Sequence, residues 1–104
     1  MQYIFIDGNL TKDAETKSNA KGNEYTFMTV ACNEQRGEKK ETTFYDVYYR
    51  SAPNLLQYLK KGQQVFIRGE LAIRENEKDG RTYTNINVYA DALDLGAFPK
   101  KDQA

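Results

Sequence analysis

Apolar and polar residues alternate along most of this chain with a period of two, the pattern of β-strands that bury one face. Over residues 2–10, Ile4 and Ile6 fall on one face and Tyr3 and Phe5 on the other, and Asp7-Gly8-Asn9 supplies a bend or bulge. Residues 11–23 are polar and small, end in Lys21-Gly22-Asn23, and read as a loop and turn. A second strand spans 24–33, with Tyr25, Phe27, Thr29 and Ala31 opposite Met28, Val30 and Cys32. The charged run 34–41 reads as a solvated hairpin connection with Gly37 near its tip. Residues 42–50, TTFYDVYYR, form a third strand in which Tyr45, Val47 and Tyr49 oppose Phe44, Asp46, Tyr48 and Arg50.

The pattern then changes. Ser51 as N-cap, Pro53 in the first turn and Leu55, Leu56 and Leu59 as an apolar face predict a short helix. Lys60 and Lys61 suit its C-terminal end, and Gly62 stops it. A fourth strand follows from Gln64 to about Arg74, with Val65 and Ile67 inward and Gly69 as a bulge or barrel bend. Lys78-Asp79-Gly80 is a hairpin turn, and a fifth strand occupies 81–90. This order predicts an all-β chain: a five-stranded OB-fold, which is a Greek-key barrel, with one short helix between strands 3 and 4. An SH3-like barrel fits the order less well. The expected domain is 1–96, followed by a short polar C-terminal tail over 97–104.

Length and composition narrow the function classes. With 104 residues there is room for one domain. The longest clear apolar run, Tyr3-Ile4-Phe5-Ile6, falls far short of the roughly 20 residues of a membrane span. The N-terminus lacks the basic and then apolar stretches of a secretory signal. A single cysteine, Cys32, cannot form an intramolecular disulfide. The expectation is a cytoplasmic protein with no metal, no cofactor and no membrane association. The chain has no histidine, which removes Ser-His and Cys-His nucleophile pairs and an imidazole base. Its 15 acidic residues show no distinctive pair, so an enzyme is not expected.

Net charge is zero, which argues against a basic coat for duplex nucleic acid. The distribution modifies that picture, because between Arg36 and Arg74 eight basic residues outnumber four acidic ones. Eight Tyr and five Phe, with no Trp, make an aromatic content large for so modest an apolar fraction. Tyrosine serves equally in a core, an interface or a stacking platform.

Three motifs in order resemble the bacterial and phage single-stranded DNA-binding protein family. Ile4-Phe5-Ile6-Asp7-Gly8-Asn9-Leu10, followed by Asp13-Ala14-Glu15, looks like its first strand. The stretch from Tyr58-Leu59-Lys60-Lys61-Gly62 through Val65-Phe66-Ile67-Arg68-Gly69-Glu70-Leu71 is similar to its helix end and fourth strand. Asp79-Gly80-Arg81-Thr82-Tyr83-Thr84 resembles its last hairpin, and the likeness covers roughly residues 1–95. It implies a non-catalytic OB barrel that binds single-stranded DNA in replication, recombination or repair, as a homo-oligomer (dimer or tetramer). Tyr3, Phe5, Tyr45, Phe66 or Tyr89 could supply the interface. The family's stacking tryptophans have no counterpart here. Phe44 falls on the third-strand position and keeps a π-face, the others fall near Arg36 and Asn76, and a family phenylalanine falls at or beside Arg50. The acidic recruiting tip is also missing, since the chain ends Lys100-Lys101-Asp102-Gln103-Ala104, so no tail-mediated recruitment of replication proteins is expected.

A binder of unpaired strands needs aromatic platforms for bases and cations for phosphates. The expected site comprises Phe44, Tyr48 and Arg50 on one strand face, with Arg36 and Lys39 on the hairpin. Lys61, Arg68, Arg74 and Tyr83 complete it. Each has an ordinary alternative: Phe44 and Tyr48 packed in a barrel or interface, the cations as solvated surface charge, Lys61 as a helix-end charge. Asp46, on the face of Phe44, repels phosphate and has no role in this reading. Two further functions remain open, a primosome-type OB protein-interaction module with weak nucleic-acid binding and an RNA-binding OB domain.

Overall fold

The computed structural model describes residues 1–97. Six strands form in chain order: β1 Tyr3–Leu10, β2 Glu15–Ser18, β3 Glu24–Arg36, β4 Lys39–Arg50, β5 Gln64–Lys78 and β6 Arg81–Leu95. Their sheet runs β1-β5-β6-β4-β3-β2 and is closed by a further β1–β3 pairing, so five strands make a barrel and β2 lies outside it on the edge of β3. All contacts are antiparallel except β4 with β6, which run parallel where Asp46, Val47 and Tyr48 meet Asn87, Val88 and Tyr89. This is the OB-fold expected from the strand order.

The alternation read from the sequence is the burial pattern of the barrel. Ile6, Leu10, Met28, Val30, Val47, Val65, Ile67 and Val88 fill the interior, so the odd residues of β4 point in and Phe44, Tyr48 and Arg50 point out. The barrel closes at Gly8, beside the two pairs Asn9–Ala31 and Leu10–Val30. A Cβ on Gly8 would come within 2.5 Å of the Ala31 carbonyl oxygen, so only glycine lets β1 approach β3 this closely. The bulge expected at Gly69 forms where the β5–β6 register shifts between Arg68 and Gly69.

Two elements differ from expectation. The short helix does not form: residues 53–58 make successive turns. Leu55, Leu56 and Tyr58 donate three residues back, and the Leu59 amide divides between Leu55 and Leu56. One turn cannot recover the cost of helix nucleation, and tertiary contacts hold the segment instead. Leu59 is fully buried, its carbonyl accepts from the Ala14 amide, and the Leu10 carbonyl accepts from the Gly62 amide. The second difference is β2, which forms inside the expected 11–23 loop although all four of its residues are exposed.

The charged run 34–41 is a continuation of β3 and β4 around a two-residue turn at Gly37 and Glu38, with Arg36 paired to Lys39. The turn at Asp79-Gly80 forms as expected, both residues having positive φ (55° and 78°), the combination that closes a two-residue hairpin. β5 extends past its expected end to Lys78 on the ribbon it shares with β6, and β6 continues past Ala90 to Leu95 where it pairs with the start of β5. Of the expected tail over 97–104, only Ala97 lies within the described residues, where its amide donates to the Gln64 side chain at 2.9 Å.

Candidate nucleic-acid interface

Outward residues of neighbouring strands meet through the register. Phe27 on β3 faces Tyr48 on β4, Tyr25 faces Arg50, and Tyr48 lies beside Tyr89 on β6. Four aromatic rings therefore form one floor across three strands. Tyr48 is its centre, 5.3 Å from Phe27, 5.3 Å from Tyr89 in a stacked arrangement, and 5.8 Å from Tyr25. Such contacts fix ring orientation while leaving outer π-faces to solvent. At the β2 edge, the Lys17 ammonium sits 4.4 Å above the Phe27 ring. Burial, then Asp46, Tyr89 and Tyr25, push the Tyr48 hydroxyl's pKa up, while Arg74 pulls it down. Arg74 on β5 is thus close enough for its charge to act on the floor.

Asp46 acquires a structural role in this arrangement. It lies opposite Thr29, whose hydroxyl donates to Asp46 Oδ1 at 3.2 Å, so it ties β3 to β4.

The two long hairpins extend the surface. Because β4 and β6 are parallel, the β3–β4 and β5–β6 turns lie at the same end of the barrel. Beyond Asp46 and Asn87 the strands separate, and each hairpin continues as a two-stranded ribbon. On the β5–β6 ribbon, Arg74, Asn76 and Lys78 alternate onto the same face as Asn85, Tyr83 and Arg81, continuous with Tyr89. From Arg74 to the turn that face carries three cations and no carboxylate, with Glu70 opposite Tyr89 where it meets the floor, while Glu75 and Glu77 lie on the reverse face with Thr82 and Thr84. Charge that cancels along the sequence is separated across the ribbon.

The β3–β4 ribbon divides differently. Asn33, Gln35, Lys40 and Thr42 share the face of Phe44, whereas Glu34, Arg36, Lys39 and Glu41 share the other. Arg36 bridges to Glu34 at 3.2 Å on that reverse face.

The nine expected site residues therefore separate. Phe44, Tyr48, Arg50, Arg74 and Tyr83 share one connected outer surface. Arg36 and Lys39 lie behind it, and Lys40 is the lysine on the Phe44 face, beyond Thr42. Arg50 turns back so that its Nε donates to the Tyr49 hydroxyl at 3.0 Å. Arg68 lies around the barrel, opposite Phe5 on β1, and pairs with Asp91 at 3.0 Å. Lys61 is away from the floor, its backbone amide donating to Asp13 at 2.8 Å. The expected site omits Tyr25, Phe27, Lys78 and Arg81, and Tyr89 appears there only as an interface candidate. The signal for Tyr25 and Phe27 was their shared parity on the second strand; their meeting with Tyr48 depends on the β3–β4 register.

Among the described residues no group of three or more Cys, Asp or Glu side chains could hold a metal ion. No helix among them is long and apolar enough to cross a membrane. The Cys32 thiol is buried, and burial, with Asp7 and Glu34, pushes its pKa up to about 11. It stays protonated near neutral pH and is a poor nucleophile.

Comparison with known proteins agrees with this architecture. Residues 1–95 match the model of the single-strand binding protein family. The chain is 31% identical over 101 residues to the single-stranded DNA-binding protein of Treponema pallidum, covering 91% of this chain and 57% of that one. It is 35% identical over 100 residues to the mitochondrial single-stranded DNA-binding protein rim1 of Schizosaccharomyces pombe, covering 89% and 65%. The chain thus spans about three fifths of the length of these curated relatives. In fold it is similar to a small single-stranded DNA-binding protein from Streptomyces coelicolor, with a TM-score of 0.75 at 22% identity over 91% of this chain and 94% of that one. With its match running from Met1 through the last barrel strand, the chain belongs to the single-strand binding protein family, whose members bind DNA without catalysing a reaction.

Proposed function

We propose that this chain binds single-stranded DNA with little sequence preference, in DNA replication, recombination or repair. Bases stack on Phe44 and on the Tyr25–Phe27–Tyr48–Tyr89 floor. Phosphates follow the Arg74–Lys78–Arg81 face of the β5–β6 ribbon. The observation that carries this reading is the continuity of the two surfaces: past Glu70, opposite Tyr89, the aromatic floor runs into a ribbon face with three cations and no further carboxylate. Stacking tolerates any base, and duplex DNA hides the base faces this surface would engage.

The reading includes self-association. From Tyr3 to Gly8, β1 pairs on one side with β5, while its pairing with β3 begins only at Asn9. Tyr3 and Phe5 are among the most exposed large apolar side chains, so a second copy has both a free strand edge and an aromatic surface to cover.

The test is a salt titration of labelled dT, rU and duplex oligonucleotides of equal length. The expected result is binding to dT that weakens with salt by only a few counterions per barrel, with much weaker binding to duplex. Equal affinity for duplex would refute stacking. Preference for rU would favour an RNA-binding domain, and no binding to any oligonucleotide would favour a protein-interaction module.

A further inference from the structure

The aromatic floor ends, away from the ribbons, in a cleft of about 450 Å³ lined by Asn19, Tyr25, Tyr48, Tyr49, Arg50 and Tyr89. Its size lies within the range of small-ligand sites, and it combines three features that an open stacking surface does not require. Tyr48 and Tyr89 stack with 22° between their planes, while Tyr25 tilts 46° from Tyr48, so one ring of the three stands out of the plane of the other two. Arg50 is anchored through Nε on the Tyr49 hydroxyl, which leaves its terminal nitrogens for an anion. The third feature is the Asn19 amide.

Asn19 begins the turn between β2 and β3. Its Oδ1 accepts from the Lys21 amide at 2.9 Å and from the Asn23 amide at 3.0 Å. Both partners are backbone donors, so the chemistry dictates which end of the side-chain amide is oxygen. Nδ2 meets no hydrogen-bond partner among the described residues, and the turn that holds Asn19 on the cleft lining uses only its oxygen.

We infer that this cleft holds a single base of the bound strand, and that Asn19 Nδ2 donates to the carbonyl that uracil and thymine carry at ring position 4, where cytosine carries an amino group. A donor fixed in place accepts keto bases (uracil, thymine, hypoxanthine) and opposes the amino group of cytosine or adenine. The inference rests on the single-stranded DNA reading of this surface. It adds one weakly selective position to binding that is otherwise indifferent to sequence.

The experiment compares dU and dC oligonucleotides of about 12 residues, within the site sizes of OB folds. These two pyrimidines differ in keto against amino at one ring position. The wild-type chain is expected to bind dU about fivefold more tightly, the ratio one neutral hydrogen bond supports. Asn19→Asp keeps an oxygen for the two turn amides and replaces the donor with an acceptor, so the preference should reverse toward dC. The added negative charge weakens both oligonucleotides alike and cancels in the ratio. Asn19→Ala, whose turn retains the backbone bonds from the Asn19 amide to Asn23 and from the Gly22 amide to Asn19, should bring the ratio close to one. Equal wild-type affinities, or a dU preference that survives in either variant, overturn the inference while leaving the wider reading standing. A wild-type chain that binds neither oligonucleotide overturns the wider reading itself.

Discussion

Phe44 lies within a strand, yet 57% of it is exposed, so its ring contributes little to the barrel core. Phe44→Ala should therefore separate binding from folding. The expected loss is about 1–3 kcal/mol of single-stranded DNA affinity, the usual worth of a stacked base, with little change in melting temperature. Tyr48 makes a different case, although it shares the face. It touches three other rings, and each aromatic pair contributes about 0.5–1.5 kcal/mol beyond its buried area, so Tyr48→Ala should lower stability as well as affinity. Thermal melts beside binding isotherms decide this. If Phe44→Ala melted several degrees lower while Tyr48→Ala melted like the wild type, the outward packing described for these residues would be wrong. The Tyr48–Tyr49 step shows how sharply a strand differentiates neighbours: one tyrosine joins the floor and the next is buried under Arg50.

The β5–β6 ribbon is the element whose charge pattern makes the clearest demand. Lys78→Ala and Arg81→Ala should each weaken DNA binding uniformly across sequences and reduce the salt slope by about one. Glu75→Ala and Glu77→Ala, on the reverse face, should leave affinity unchanged or slightly higher. Similar losses from both pairs would mean that the faces do not divide as the register places them. Elements also show what could be read from the chain alone. The β4 register was legible because Val47 and Tyr49 alternate with Asp46 and Arg50, and a one-residue slip would bury charge. The Asp79-Gly80 turn was legible because its residue types suit positive φ. By contrast β2 was hidden: Glu15-Thr16-Lys17-Ser18 has no apolar alternation and is a strand only because the β3 edge pairs with it. The turns at 53–58 carry leucine spacing and a proline start that imitate a helix, while hydrogen bonds to distant residues determine their shape. Three of the four floor rings were hidden for a related reason, since Tyr25, Phe27 and Tyr89 meet Tyr48 through strand pairing rather than sequence spacing.

At the scale of the whole molecule, the proposed self-association would use the one barrel strand that is incompletely paired. Phe5 is 69% exposed on the outer face of β1, and the edge from Tyr3 to Gly8 has room for a second copy. Across the β1–β5 pair Phe5 faces Arg68, whose Nε donates to Asp91 at 3.0 Å. A glutamate at position 5 would place a carboxylate near Asp7 in each copy and bring like charges together at the shared edge, an arrangement that opposes pairing. Phe5→Glu should therefore shift the mass measured by light scattering from an oligomer to a single chain. The fold should survive, because the side chain leaves no core cavity. Binding should then divide by length: an oligonucleotide that fits one barrel keeps its affinity, while one long enough to span two loses the gain from linked sites. A wild-type chain that is monomeric at tens of micromolar would remove self-association from the proposal. A Phe5→Glu chain of unchanged oligomeric mass would instead move the interface away from β1. Loss of short-oligonucleotide binding in a folded Phe5→Glu monomer would show that β1 acts on the DNA surface itself, across the barrel from Tyr48.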